Sequence, residues 1–167
     1  MIVVMILVGF AFGGQPLYGY LYGAKLQKRM KECMKYAYQL IIGISVALSI
    51  VLSIFASFMI SIFMNDAVMI ETGAPMLRAV LLGMPFIGFV MVTTCIFQSC
   101  GKPTQALILS AGRQGIFYAI LIFILHALLG YTGVIYAQAA SDIFTSFVAY
   151  LLLKNTLLKE LAILAKR

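Results

Sequence analysis

The sequence has 167 residues, of which 63% are hydrophobic and only 10% are charged, and its formal net charge is +7. Soluble globular domains carry roughly 25% charged residues, so this composition excludes a soluble enzyme, a nucleic-acid-binding domain and a disordered chain. The basic residues stand in short loops between apolar runs, where membrane lipid and topology explain them better than a nucleic acid does.

Five apolar runs follow one another along the chain. They cover residues 2–22, about 36–64, about 77–99, 104 to about 129 and about 134–153. A transmembrane helix needs roughly 20 mainly apolar residues, and each run is long enough. Membrane β-strands would alternate polar and apolar residues, which these runs do not do. The predicted fold class is therefore all-α, a polytopic membrane helix bundle with five transmembrane helices.

Prolines are predicted to kink the first and third runs. Pro16 and Pro85 each free a backbone carbonyl within an otherwise helical segment. Gln15 precedes the first kink and Gln98 stands near the end of the third run, so both amides are candidates for a polar cavity. In the first run, close packing through glycines four residues apart is an equally good explanation.

Serines recur at every fourth position of the second run. They are Ser45, Ser49, Ser53, Ser57 and Ser61. This spacing makes a ridge along one side of a helix, of the kind that packs into a groove on a neighbouring helix. We therefore predict a packing seam here, not a path for a solute.

The fifth run carries a polar stripe of Gln138, Ser141, Asp142 and Thr145 on one helix face. Such a face meets protein or water, not lipid. Asp142 is the only acidic residue within the five runs, and Arg113 lies in the middle of the fourth. Both are roughly 16–18 Å from the basic ends of their helices, so their depths match. We predict an ion pair, and both a static lock and a cavity site for a cation or substrate remain open.

The loop charges predict the topology. Ten of the twelve Lys and Arg residues fall on alternate loops, and these loops are expected to be cytoplasmic. The N-terminus is then outside and the C-terminus is cytoplasmic, with the plasma membrane as the expected location. Residues 1–154 are predicted to form the transmembrane bundle, and residues 155–167 a cytoplasmic amphipathic tail on the inner leaflet. An odd number of spans without a basic leader favours a piece of a longer chain.

Short motifs are distributed over nearly the whole chain. They are Gln15-Pro-Leu-Tyr-Gly-Tyr-Leu-Tyr-Gly-Ala-Lys25 followed by Arg29, Leu77-Arg78, Gly83-Met-Pro-Phe86, Phe97-Gln98, Gly101-Lys-Pro103, Arg113-Gln114, Gly130-Tyr-Thr-Gly133 and Ala140-Ser-Asp142. Their order and spacing resemble the C-terminal half of multidrug and toxic compound extrusion (MATE) transporters.

This resemblance implies that the five runs correspond to helices 8–12 of a twelve-helix transporter whose N-terminal lobe is missing here. Members of that family exchange drugs and organic cations for Na⁺ or H⁺. The expected partners are therefore membrane lipid, a small-molecule drug or organic cation, and the missing lobe. No enzyme activity, metal site, nucleic acid or cofactor other than the coupling ion is expected.

Six polar residues are the candidates for the substrate cavity. They are Gln15, Gln98, Gln114, Gln138, Asp142 and Thr145. Two alternatives to a multidrug transporter stay open, namely a lipid-linked saccharide flippase of the same superfamily and a structural membrane subunit that does not transport.

Overall fold

A computed structural model describes residues 2–63 and 67–164, which form five membrane helices without any strand. The first helix comprises Ile2–Gly13 and Gln15–Gly23, the second Gln27–Ile54 and Ala56–Phe63, the third Ala67–Leu82 and Met84–Ser99, the fourth Pro103–Ala111, Gly112–Ile116 and Phe117–Leu129, and the fifth Tyr131–Leu152, Leu153–Leu158 and Lys159–Leu164. The predicted all-α bundle of five transmembrane helices is confirmed.

Two helices begin earlier than their apolar runs. The second starts at Gln27, about nine residues before the predicted start, because its lysine-rich first turns favour helix although they are not apolar. The third starts at Ala67 instead of near residue 77. The predicted end of the second run at Met64 lies outside the described residues, as do Lys166 and Arg167 of the predicted tail.

The first and third helices are each interrupted two residues before a proline. The breaks fall at Gly14 before Pro16 and at Gly83 before Pro85. In both cases the proline stands at the start of the following helical segment, where its missing N–H removes no hydrogen bond from that segment. The carbonyl four residues before each proline lacks its usual intrahelical donor.

Two π-helical segments lie within the fourth and fifth helices, at Gly112–Ile116 and Leu153–Leu158. The hydrophobic pattern of the sequence does not predict them. A π turn inserts one extra residue and so changes which side chains share a face, and such turns are frequent at functional sites. The first one needs a small residue, because a Cβ atom on Gly112 would collide with the ring of Phe117.

The third helix is the centre of the bundle. Its second segment, Met84–Ser99, buries ten residues and packs against the first, second, fourth and fifth helices. The other helices carry most of the large apolar side chains on the outer surface, for example Phe123 and Tyr36. In a membrane protein this outer apolar surface meets lipid instead of water.

The fifth helix continues across residue 154 and ends at Leu164, so no backbone break separates the bundle from the tail. Two leucines of the tail's apolar face, Leu157 and Leu161, are buried in the hydrophobic core of the protein. These two side chains therefore pack on the bundle and do not contact the inner leaflet.

Candidate functional site

The fourth and fifth helices bring Arg113 and Asp142 together in the interior. Nη1 of Arg113 lies 3.7 Å from Oδ1 of Asp142, and the two residues are 7% and 0% exposed. This distance is too long for a hydrogen bond. Among the described residues, neither carboxylate oxygen of Asp142 nor Nη1 of Arg113 has a hydrogen-bond partner. The pair is thus held by charge attraction and keeps unused hydrogen-bonding capacity.

Small residues create the space for this pair. A Cβ atom on Gly83 would lie 2.9 Å from Oδ2 of Asp142, so the break in the third helix leaves room for the carboxylate. A Cβ atom on Gly133 would collide with the carbonyl oxygen of Leu125, so this glycine lets the fourth and fifth helices approach closely. Glycine at both positions therefore brings the ion pair and its three helices together.

The polar stripe of the fifth helix faces protein. Ser141 donates a hydrogen bond of 3.2 Å to the carbonyl oxygen of Arg113, in the π-helical segment of the fourth helix. Thr145 is fully buried and donates to the carbonyl oxygen of Ser141, at 2.7 Å. Gln138 is half-buried at the start of the stripe. This part of the predicted site is a closed interior, not an open cavity.

A second polar group lies on the outer surface of the bundle. Nε2 of Gln15 donates a hydrogen bond of 2.7 Å to Oε1 of Gln98, which joins the first helix to the third beside the Gly14 break. Gln98 also borders an open groove of about 420 Å³, together with Thr104 and Ser110 of the fourth helix. Polar side chains on a membrane bundle avoid lipid, so this surface is suited to water or to another protein segment.

The candidate residues therefore divide into two groups. Gln15, Gln98 and Gln114 lie at the outer surface, whereas Asp142 and Thr145 are buried between helices. No hydrogen bond or ion pair among residues 2–63 and 67–164 joins the first group to the second. Within those ranges there is also no group of three or more His, Cys, Asp and Glu residues that could hold a metal ion.

Sequence reasoning missed a polar network at the basic end of the bundle. The Tyr22 hydroxyl donates a hydrogen bond of 2.6 Å to Oε1 of Glu160, and Nζ of Lys102 pairs with Oε2 of the same carboxylate. Glu160 thereby ties the tail to the end of the first helix and to the loop before the fourth. The only sequence signal was a single acidic residue in a basic tail, which is too weak to predict its partners.

Sequence reasoning also missed the partners of the serine ridge. Ser49 donates a hydrogen bond of 2.9 Å to the carbonyl oxygen of Leu81, the carbonyl that Pro85 leaves without its intrahelical donor. One turn further along, Nε of Arg78 donates to the carbonyl oxygen of Ser53, at 3.3 Å. The predicted packing seam thus supplies and receives specific hydrogen bonds from the third helix.

The sequence model of the MatE family matches residues 1–132. The chain belongs to the multidrug and toxic compound extrusion (MATE) family. No curated protein matches the sequence significantly. Solved structures do, and they extend the family resemblance beyond residue 132 to nearly the whole chain.

Three solved structures illustrate this similarity to MATE proteins. The Vibrio cholerae MATE transporter VcmN in its bent form aligns with a TM-score of 0.88 and 18% identity, over 98% of this chain and 37% of its own. A multidrug resistance MATE transporter of the MOP superfamily, in an inward-facing conformation, aligns with 0.88 and 20%, over 99% and 38%. The multidrug transporter DinF-BH, in complex with a drug ligand, aligns with 0.84 and 31%, over 92% and 34%. This MATE family chain thus spans slightly more than a third of their length.

Proposed function

We propose that this chain is part of a secondary active transporter in the plasma membrane that exports organic cations and other xenobiotics in exchange for Na⁺ or H⁺. The observation that carries the proposal is the match of the MatE family over residues 1–132, together with the MATE fold. The chain spans about a third of the matched transporters, so we propose that an N-terminal lobe completes the protein. No enzymatic step is part of the proposal.

The substrate-facing surface is proposed to include the Gln15–Gln98 pair. Alternating access needs a second bundle that rocks against this one around a site near the bilayer midplane. The surface amides and the adjoining groove of about 420 Å³ support a cavity at the boundary with the other lobe, because polar groups on this surface would be unfavourable against lipid. Gln114 is exposed on the fourth helix and extends the candidate surface.

The coupling site is proposed to lie mainly in the part of the transporter outside this chain. Asp142 is buried within these helices, and Arg113 already faces it. A cation entering beside Asp142 would therefore meet a fixed positive charge within a few ångströms. Asp142 is the acidic group of this lobe with unused acceptor capacity, and it is proposed to hold the helices together more than to bind the coupling ion.

The orientation is proposed to be N-terminus outside and C-terminus cytoplasmic. The basic segments after the first, third and fifth helices lie on alternate loops, which supports this topology through the positive-inside rule. The network of Tyr22, Lys102 and Glu160 brings these three segments to one end of the bundle.

A chimera tests the proposal. This chain would replace the corresponding helices of DinF-BH, and export of a cationic rhodamine dye from cells would be followed by fluorescence under an imposed Na⁺ or H⁺ gradient. We expect gradient-driven export by the chimera and none by this chain alone. Gln15→Leu with Gln98→Leu should lower export, whereas Phe123→Leu on the lipid-facing surface should not. A folded chimera that never exports the dye, or export by the isolated chain, would contradict the proposal.

A further inference from the structure

A long groove runs along the outside of the bundle, between the second helix and the end of the fifth. Its volume is about 790 Å³. One wall is a stripe of the second helix that begins with Lys31 and Lys35 and reaches Ile42, and the opposite wall contains Leu153 and Leu158 of the π-helical segment. The groove therefore has a charged mouth and an apolar length.

The dimensions of the groove match half of a bilayer. Between Lys31 and Ile42 the second helix rises roughly 16 Å, at about 1.5 Å per residue. One leaflet of hydrocarbon is about 15 Å thick. The groove thus starts at the level of lipid headgroups, where the basic residues stand, and runs down to the apolar residues near the middle of the membrane.

The two lysines at the mouth are not neutralised by the protein. Lys31 and Lys35 are exposed one helical turn apart, and neither forms an ion pair in the part of the chain that the structure describes. Gln39, one turn further along, adds an amide beside them. Two ammonium groups and an amide at headgroup depth form a site for a phosphate-bearing anion.

The groove is separate from the surface proposed to face substrate. Its walls come from the second and fifth helices, whereas the polar Gln15–Gln98 pair joins the first and third. Below the lysines the walls are largely apolar, which suits an acyl chain better than a water-filled cavity. We propose that this groove binds one anionic phospholipid, with its phosphate at Lys31 and Lys35 and an acyl chain along Ile42 and Leu153.

The natural absence of tryptophan allows a direct test with a single reporter. An Ile42→Trp variant puts the reporter in the groove, and a Leu40→Trp variant puts it on the opposite face of the same helix, where Leu40 is 50% exposed. Each variant of the chain is reconstituted in phosphatidylcholine vesicles. Tryptophan quenching is then measured with brominated phosphatidylglycerol and with brominated phosphatidylcholine.

The groove reporter should prefer phosphatidylglycerol by at least about fivefold, the effect of one lysine near an anionic headgroup. The Leu40→Trp reporter should show no such preference. Lys31→Gln with Lys35→Gln should abolish the preference, whereas Lys25→Gln with Arg29→Gln removes the same charge from the preceding segment and should retain it. Native mass spectrometry of the unsubstituted chain should show one retained phosphatidylglycerol that the Lys31→Gln, Lys35→Gln variant loses.

Three results would overturn the proposal. The first is equal quenching of the groove reporter by both lipids, and the second is a preference that survives loss of Lys31 and Lys35. The third is a groove reporter that neither lipid quenches although both quench the Leu40→Trp reporter, which would show that a protein segment covers the groove. The transport assay is not involved, so this test stands apart from the proposed export function.

Discussion

Arg113 and Asp142 face each other across the fourth and fifth helices at 3.7 Å, a distance that permits charge attraction without a hydrogen bond. Both residues are buried, and each charge is the nearest available compensation for the other. A buried pair of this kind contributes little net stability as a pair, but the loss of one partner leaves an uncompensated charge.

Single substitutions of this pair should therefore be more harmful than the double substitution. Arg113→Ala and Asp142→Ala are each expected to lower the free energy of unfolding by about 3–5 kcal/mol, and the double variant by clearly less than the sum. Chemical denaturation in detergent micelles measures all three. Strictly additive losses would show that the two charges do not interact, and normal stability in all three variants with lost transport only without Asp142 would assign Asp142 to ligand binding.

The hydrogen bond from Ser49 to the carbonyl oxygen of Leu81 should depend on Pro85. Ser49→Ala is expected to destabilise the chain by about 0.6 kcal/mol, the average for such bonds in membranes, and by at most about 1.7 kcal/mol. In a Pro85→Ala background, residue 85 regains an N–H that can reach the same carbonyl, so the effect of Ser49→Ala should shrink. A double-mutant cycle of thermal unfolding measures this difference.

Ser57→Ala is the control for that cycle. Ser57 belongs to the same serine ridge but is exposed, and no hydrogen bond of its side chain occurs among the described residues. Its replacement should change stability by only a few tenths of a kcal/mol. If Ser49→Ala is as harmless as Ser57→Ala, or equally harmful with and without Pro85, the interpretation of the Ser49–Leu81 bond is wrong.

Gly133 should tolerate no side chain. A methyl group there would collide with the backbone of Leu125, so Gly133→Ala must separate the fourth and fifth helices and is expected to destabilise the chain by about 1–3 kcal/mol or more. Gly115→Ala is the matched control, because nothing lies within 4 Å of a Cβ atom at that position. Equal melting temperatures of the two variants in detergent would contradict the close approach of these helices.

The link from Glu160 to Tyr22 and Lys102 should hold the tail on the bundle. Tyr22→Phe and Glu160→Gln each weaken a partly exposed interaction, with an expected loss of about 0.5–1.5 kcal/mol. Amide hydrogen exchange of Lys159–Leu164 should therefore accelerate by roughly two- to tenfold. Glu32→Gln alters an exposed glutamate without an ion pair among the described residues and should leave this exchange unchanged. Unaltered exchange in the Glu160→Gln variant would show that packing of Leu157 and Leu161 alone holds the tail.

Thiol labelling tests the topology. In a Cys33→Ser background, Lys28→Cys should react only with a membrane-permeant reagent and Glu71→Cys also with an impermeant one added outside. The native Cys100 adds little background because it is buried, and burial raises the pKa of its thiol to about 11. Almost no thiolate is then present at pH 7.5, and its labelling should rise only as the pH approaches 11. The reverse pattern at residues 28 and 71 would reject the proposed orientation.

The five membrane helices and their class follow from the sequence by itself. Hydrocarbon requires long apolar helices with internally satisfied backbones, so length and hydropathy of each run suffice to locate them. The positions of Pro16 and Pro85 likewise indicate where two of the helices are interrupted, since a proline lacks the N–H that a continuous helix needs. The matching depths of Arg113 and Asp142 follow from counting residues along adjacent antiparallel helices.

Only the tertiary structure decided how each helix is rotated against its neighbours. That rotation separates Gln15 and Gln98 at the surface from Asp142 and Thr145 in the interior, although all four look alike as polar residues in apolar runs. It also determines contacts across long sequence separations, such as Tyr22 with Glu160 and Ser49 with Leu81. Hydropathy is almost the same for every rotation of an apolar helix among others, whereas packing of small residues and single hydrogen bonds distinguishes one rotation from the rest.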